Sequence, residues 1–215
     1  MFWYEDDIKT LREKKEGLSD KTGLIFYGSS TIRLWTSLEQ DFADYKAINM
    51  AFGGSTLAAC NWFFETVMMD LQPTGFIIYA GDNDLGDGRH PEEIYLFFKQ
   101  LVAQIRSFYG TIPVIFISIK PSPARLNIIK SISYANQIIN AEIKQQNDHL
   151  FYIDVFNAMI NEKGIPIKDY FTADGLHMNE KGYAVWRNII KQVLELEDLK
   201  NMRTTEAALV PKLIN

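Results

Sequence analysis

The chain has a single cysteine, Cys60, so it cannot close an internal disulfide and is not a disulfide-stapled scaffold. It has no excess of positive charge: 22 Lys and Arg stand against 27 Asp and Glu, a formal net charge of -5. A surface of that sign lacks the broad basic footprint that nucleic acid or an anionic membrane requires. Long hydrophobic runs are missing as well. The longest, such as GFIIYAG at 75–81, fall well short of the roughly 20 residues that span a bilayer. The opening residues, MFWYEDDIK, are acidic where a secretory leader is basic, so the expected location is the cytoplasm. There is no internal repeat, no low-complexity tract and no Gly/Ser linker. One domain is therefore expected over 1–199, with 1–20 as a helical lead-in and 200–215 as a tail. Nothing in the pattern fixes an oligomeric state.

What the chain does have is apolar content, 47% against 23% charged, enough to build a large core. Five short apolar runs recur: Leu24 to Tyr27, Ala47 to Met50, Phe76 to Ala80, Val114 to Ile119 and Leu150 to Val155. Three are nearly continuous in Ile, Phe, Val and Tyr, the composition of strands buried on both faces of a parallel sheet. The segments between them carry helical spacing, as in Leu57, Cys60, Phe64, Val67, Met68 and Leu71. A second such helix is opened by Pro91, a third runs from near Leu126 to Gln146, and a last begins near Asn179 as its cap. A further helix, about Glu5 to Glu16, precedes the alternation. Strands alternating with helices imply an α/β fold, a parallel sheet covered on both faces.

Ligands of such sheets bind beyond the carboxyl ends of the strands. Small and polar residues gather there: Gly28-Ser29-Ser30-Thr31, then Gly53-Gly54-Ser55-Thr56, then Gly81-Asp82-Asn83-Asp84, then Lys120 through Arg125, then Asp174-Gly175-Leu176-His177. Asp174 and His177 can meet within one turn, where a carboxylate on Nδ1–H fixes the tautomer and leaves Nε2 as a base. The other two histidines, His90 and His149, lie beside helix-end signals and read as surface residues. Ser30, at a strand-to-helix turn, is the candidate nucleophile. The Ser30 N–H, the Gly54 N–H and the Asn83 amide are three candidate donors for a developing oxyanion. Each block also has a bland reading as a turn or cap. A metal-dependent phosphoesterase built on Asp82, Asp84, Asp87, Asp174 and His177 stays open, as does a fold that binds without turnover.

Together the blocks resemble the SGNH, or GDSL-type, hydrolases, serine esterases and lipases named for Ser, Gly, Asn and His. The match runs in family order from Phe26 to His177: Gly28-Ser29-Ser30-x-Ile32-Arg33-x-Trp35, Asn49 through Thr56, Gly81 through Asp84, and Asp174 through His177. With Tyr79-Ala80-Gly81-Asp82-Asn83-Asp84 and Lys120-Pro121-Ser122-Pro123-Ala124-Arg125, the first block is similar to that of a bacterial subgroup. Ser29 stands where the family's name-giving Asp sits. The resemblance implies a three-layer, flavodoxin-like fold with strand order 2-1-3-4-5, and Ser30 as nucleophile, His177 as base and Asp174 as its partner. It also implies an oxyanion hole of Ser30, Gly54 and Asn83, a small-molecule ester as substrate, and neither metal nor cofactor. Phe52, Arg33 and Arg125 are candidate substrate-binding residues. Phe52, Tyr170, Phe171 and Met178 could wall an apolar acyl pocket, Arg33 and Arg125 could hold an anionic group, and Arg33 is expected to be buried against acids of neighbouring loops.

Overall fold

The computed structural model describes residues 1–18, 22–146, 148–196 and 199. The expected tail, 200–215, lies outside them. Each apolar run becomes a strand: β1 (Leu24–Gly28), β2 (Ile48–Asn49), β3 (Gly75–Tyr79), β4 (Val114–Ile117) and β5 (Leu150–Ile153). All neighbours pair in parallel, and the order is β2-β1-β3-β4-β5. β1, β3 and β4 are buried along their whole length, because both of their faces are covered. β2 is shorter than expected. The side chain of Asn49 donates to the Ile32 carbonyl (2.7 Å) and accepts from the Ala51 N–H (3.2 Å), and beyond it the chain stays beside β1, with the Met50 N–H donating to the Phe26 carbonyl (2.8 Å) and the Phe52 N–H to the Gly28 carbonyl (3.0 Å).

Among the described residues, eight α-helices surround the sheet: α1 (Glu5–Glu16), α2 (Ser30–Arg33), α3 (Leu38–Asp41), α4 (Leu57–Met68), α5 (Asp82–Gly86), α6 (Pro91–Tyr109), α7 (Ile129–Gln146) and α8 (Glu180–Leu194). Their apolar sides define two cores. One face of the sheet, with Ile25, Tyr27, Ile78 and Phe116, packs on α1, α4, α6 and α7. The other, with Phe26, Ile77, Tyr79 and Ile117, packs on α8 and the α2–α3 segment through Trp35, Phe42 and Trp186. Full burial of each such side chain is worth about 1.5–3 kcal/mol, so the sheet is held from both sides. Asn179 caps α8 as expected, accepting from the Lys181 and Gly182 N–H groups. His90 caps α6 in a reciprocal arrangement with Glu93. The third expected helix starts later than expected: Leu126 to Ile128 belong to a 3₁₀ segment, Pro123–Ile128, itself kinked at Arg125 (φ -113°, ψ 20°), and α7 follows from Ile129.

The sheet presents its carboxyl edge to the candidate site, and one glycine sets how close two of its strands can come there. Gly28 ends β1 at φ 141°, and a Cβ on it would lie 1.8 Å from the Tyr79 carbonyl oxygen. Only glycine lets the turn that follows lie against the end of β3.

Candidate active site

Ser29 and Ser30 follow Gly28 directly, and they point to different places. Ser29 is the residue preceding α2, and its N–H donates to the Tyr79 carbonyl (2.9 Å). Its hydroxyl is fully buried and has no hydrogen-bond partner. Ser30 is the first residue of α2, and its Oγ lies 3.1 Å from His177 Nε2. On the far side of the imidazole, Nδ1 lies 2.6 Å from Asp174 Oδ2. The loop between Phe171 and Met178 thus brings imidazole and carboxylate to the Ser30 turn from the opposite end of the chain.

The two oxygens of Asp174 are divided between separate tasks. Oδ1 accepts from the Leu176 N–H (2.8 Å), the His177 N–H (3.0 Å) and the Thr172 hydroxyl (2.7 Å), while Oδ2 faces the imidazole. Partial burial raises its carboxyl, but the hydrogen bonds from the Leu176 N–H, the His177 ring, the Thr172 hydroxyl and the His177 N–H outweigh it. They hold Asp174 far below the usual carboxylate range. It is therefore ionised wherever an imidazole titrates.

Two more blocks meet at the same edge. Gly54 adopts φ 65°, and no heavy atom lies within 4 Å of where its Cβ would be. Asn83, in the first turn of α5, donates its amide to the Ser55 carbonyl (3.0 Å), which ties it to the Gly54 loop and leaves its second N–H hydrogen to spare. Among the described residues, neither the Ser30 nor the Gly54 N–H donates a hydrogen bond within the chain. Such free donors at a helix start and a turn suit an anion.

Several supporting residues carry no motif and escape a reading by blocks. Tyr4 donates its hydroxyl to the Gly54 carbonyl (3.0 Å), and Asp7 accepts from the Gly53 N–H (3.2 Å). Lys14 donates to the Asn49 carbonyl (2.9 Å) and to Glu39 (2.7 Å). With Leu11, these positions fall on one side of α1 and the turn before it, which therefore lie against the β2–α4 loop at Asn49, Gly53 and Gly54. Their spacing of 3, 4 and 3 residues was the only available signal. Beneath Asn83, Asp82 forms a buried ion pair with Lys120 (3.3 Å). Removing one member of such a pair costs about 3–5 kcal/mol.

Three expectations are corrected. Phe52 does not face substrate: it is fully buried, edge-on to Tyr4 and Phe63 within the core. Phe171 and Met178 are likewise core residues, with Tyr170 packed against the same cluster. Arg33 is exposed rather than buried, and its acid comes from α1, with Nε 3.5 Å from Asp7. It borders a cavity of about 320 Å³ between α1 and the α2–α3 segment that Ser30 and His177 do not line. The carboxylates of the metal reading do not converge. Asp82 is committed to Lys120 and Asp84 to the Leu57 N–H (2.8 Å), and among the described residues no three His, Cys, Asp or Glu side chains group as a metal site.

Asp84 gives a test of how this edge is built. Burial lifts its carboxyl to about 6, opposed by the Leu57 and Ala58 N–H groups at the start of α4, and its Oδ1 has no partner. A carboxyl raised on folding binds its proton more tightly in the native state. Its ionisation therefore costs stability above pH 6, and that cost fades as pH falls from about 6 toward the unfolded value near 3.8. Asp84→Asn, which keeps an oxygen for the Leu57 N–H, should stabilise the protein more at pH 8 than at pH 4.5. Thermal melts of both proteins at the two values check this; an equal difference at both would show that Asp84 does not titrate as described.

A sequence profile of the GDSL-like lipase/acylhydrolase family matches residues 23–185, well over half of the chain. A search of curated proteins finds no match. Among solved structures, a GDSL-like lipase from Bacteroides thetaiotaomicron superposes with a TM-score of 0.76 at 20% identity, over 88% of this chain and 97% of that one. The lipase/acylhydrolase from Enterococcus faecalis gives 0.66 at 19%, over 87% and 100%. An acetyl esterase, solved as a serine-to-alanine mutant with an acetate ion, gives 0.65 at 16%, over 80% and 96%. At these identities the structures establish a shared fold, the SGNH-hydrolase fold, and the profile establishes the lineage. Among the described residues no helix is long and apolar enough to cross a membrane. The chain belongs to the GDSL-like lipase/acylhydrolase family, hydrolases that act on ester bonds.

Proposed function

We propose that the protein hydrolyses carboxylic esters of small acyl groups, acetyl foremost, through a serine nucleophile. The observation that carries this reading is the continuous chain from Ser30 Oγ to His177 Nε2 (3.1 Å) and from His177 Nδ1 to Asp174 Oδ2 (2.6 Å). Asp174 holds the proton on Nδ1, so Nε2 is free to take the Ser30 proton as Oγ attacks the carbonyl carbon. The carbonyl oxygen becomes an oxyanion that the Ser30 and Gly54 N–H groups and the Asn83 amide stabilise. The imidazolium then returns its proton to the departing alkoxide. Water, activated by the same imidazole, attacks the acyl-serine and releases the acid and the free hydroxyl.

The preference for small acyl groups is supported by what surrounds the site. Phe52, Phe171 and Met178 are consumed by the two cores, so they do not offer a long apolar slot. The acetyl esterase that shares the fold is consistent with this. A panel of p-nitrophenyl esters from acetyl to palmitoyl tests the reading, together with labelling by an organophosphonate. The expected result is labelling and a kcat/KM that is highest for the shortest acyl chains, both insensitive to EDTA. A maximum at long chains would overturn the small-acyl preference. Activity lost with EDTA and restored by a divalent cation would overturn the serine mechanism.

A further inference from the structure

The 3₁₀ segment Pro123–Ile128 is wedged between the two elements that carry Asn83 and His177. On one side the Ala124 N–H donates to the Gly175 carbonyl (3.0 Å), in the Asp174–His177 loop. On the other, Arg125 lies flat on Gly86, the last residue of α5. A Cβ on Gly86 would fall 2.2 Å from Arg125 Nη1, 2.3 Å from Cζ and 2.4 Å from Nη2. Gly86 has no left-handed backbone to explain it, and glycine in a helix costs about 1 kcal/mol relative to alanine. Its lack of a side chain is what gives the guanidinium a place to rest.

That guanidinium has no anion of its own. Arg33, Arg89, Arg106 and Arg187 each stand within 4.0 Å of a carboxylate, and Arg12, which pairs with no described carboxylate, is exposed to solvent. The half-buried side chain of Arg125 has neither an ion pair nor a hydrogen bond to any described residue, and its Nε is buried without a partner. Asp87, adjacent to Gly86, does not pair with it. A buried donor left unmade costs about 1–3 kcal/mol, more when it belongs to a charged group. A planar fork of donors matches a carboxylate or phosphate.

We infer that Arg125 is a specificity-determining residue that takes an oxyanion group, such as a carboxylate, carried by the ester substrate. The inference rests on the hydrolase reading above and narrows its substrate class to acidic esters. The guanidinium fork binds the charged end of the substrate, while Ser30 and the oxyanion donors engage the ester carbonyl. Which half of the substrate bears the charge is decided by the two arms of the test.

One arm compares mono-4-nitrophenyl adipate with 4-nitrophenyl hexanoate, placing a carboxylate on the acyl side. The other compares 4-acetoxybenzoate with its methyl ester, placing it on the alcohol side. The readout is the ratio of kcat/KM for the acidic ester to that for its neutral mate. Arg125→Gln should lower this ratio about tenfold or more in one arm, Arg125→Lys should lower it less because charge remains without the fork, and rising ionic strength should lower it in the wild type. Gly86→Ala, which displaces the guanidinium without removing it, should lower the ratio in the same arm. An unchanged ratio in both arms for Arg125→Gln, or an equal loss on acidic and neutral esters, would overturn the inference while leaving the hydrolase reading standing. A wild-type protein inert to all four esters and to organophosphonate would overturn the hydrolase reading, and the inference with it.

Discussion

Ser30→Ala should abolish ester hydrolysis, by roughly 10⁴-fold or more, while Ser29→Ala keeps most of it. The two hydroxyls are neighbours in sequence and differ completely in surroundings. Ser30 Oγ meets the imidazole at 3.1 Å, whereas the Ser29 hydroxyl is buried with no hydrogen-bond partner. Removing the Ser29 hydroxyl therefore breaks no hydrogen bond, and deleting an unsatisfied buried polar group is close to neutral for stability. The Ser29 N–H still reaches the Tyr79 carbonyl, so the turn that presents Ser30 is retained. Hydrolysis of p-nitrophenyl acetate by purified variants, with circular dichroism to establish that both fold, decides the matter. The reverse pattern would place the nucleophile at Ser29.

Asp174→Asn should be nearly as damaging, on the order of 10⁴-fold in kcat, although it changes a single atom and little volume. The reason lies in how the carboxylate is held. Oδ1 faces donors from Leu176, His177 and Thr172, so in the variant the amide oxygen must occupy that side. The NH₂ then faces His177 Nδ1, which must become an acceptor. The ring proton moves to Nε2, and Nε2 can no longer take the proton of Ser30. An amide that could flip would recover part of the activity; these donors prevent the flip. In the wild type, Asp174 remains ionised well below the range in which imidazoles titrate, so kcat/KM should rise with pH through one ionisation, that of the base, and then level off. Steady-state kinetics of both proteins across pH 5 to 9 provide the check. A variant with near-wild-type kcat would remove Asp174 from the mechanism, and a flat wild-type profile would remove the base.

The sheet was legible because burial on both faces leaves continuous apolar runs, and the run from Phe76 to Ala80 marks β3 from composition alone. The helices at 57–68 and 91–109 were legible from their spacing. Strand order was not: it came with the family likeness, since no local pattern says that β3 rather than β2 follows β1 in space. The candidate site was legible where chemistry demands rare residue types at strand ends, as with Asn83 or His177. It was not legible where an ordinary residue is used for its position. Phe52 was a candidate pocket wall, but a side chain one residue from a turn can face either way, and this one faces Tyr4. Arg33 and Arg125 looked alike in sequence and are opposites in structure, one paired with Asp7 and one unpaired. What separates them is an aspartate on a distant helix, which no local window contains.

That distant helix has a bearing on heat and cold as well as on geometry. α1 and the turn before it hold the loop from Asn49 to Gly54 through Tyr4, Asp7 and Lys14, yet they precede the first strand and pair with no part of the sheet. Elements outside a sheet can open at a lower free energy than its central strands. An opening of this segment would release the Gly54 carbonyl and the Gly53 N–H together without parting any strand pair. If α1 opens before the sheet does, ester hydrolysis should fail at a lower temperature than the sheet melts, which activity and circular dichroism followed in parallel would show.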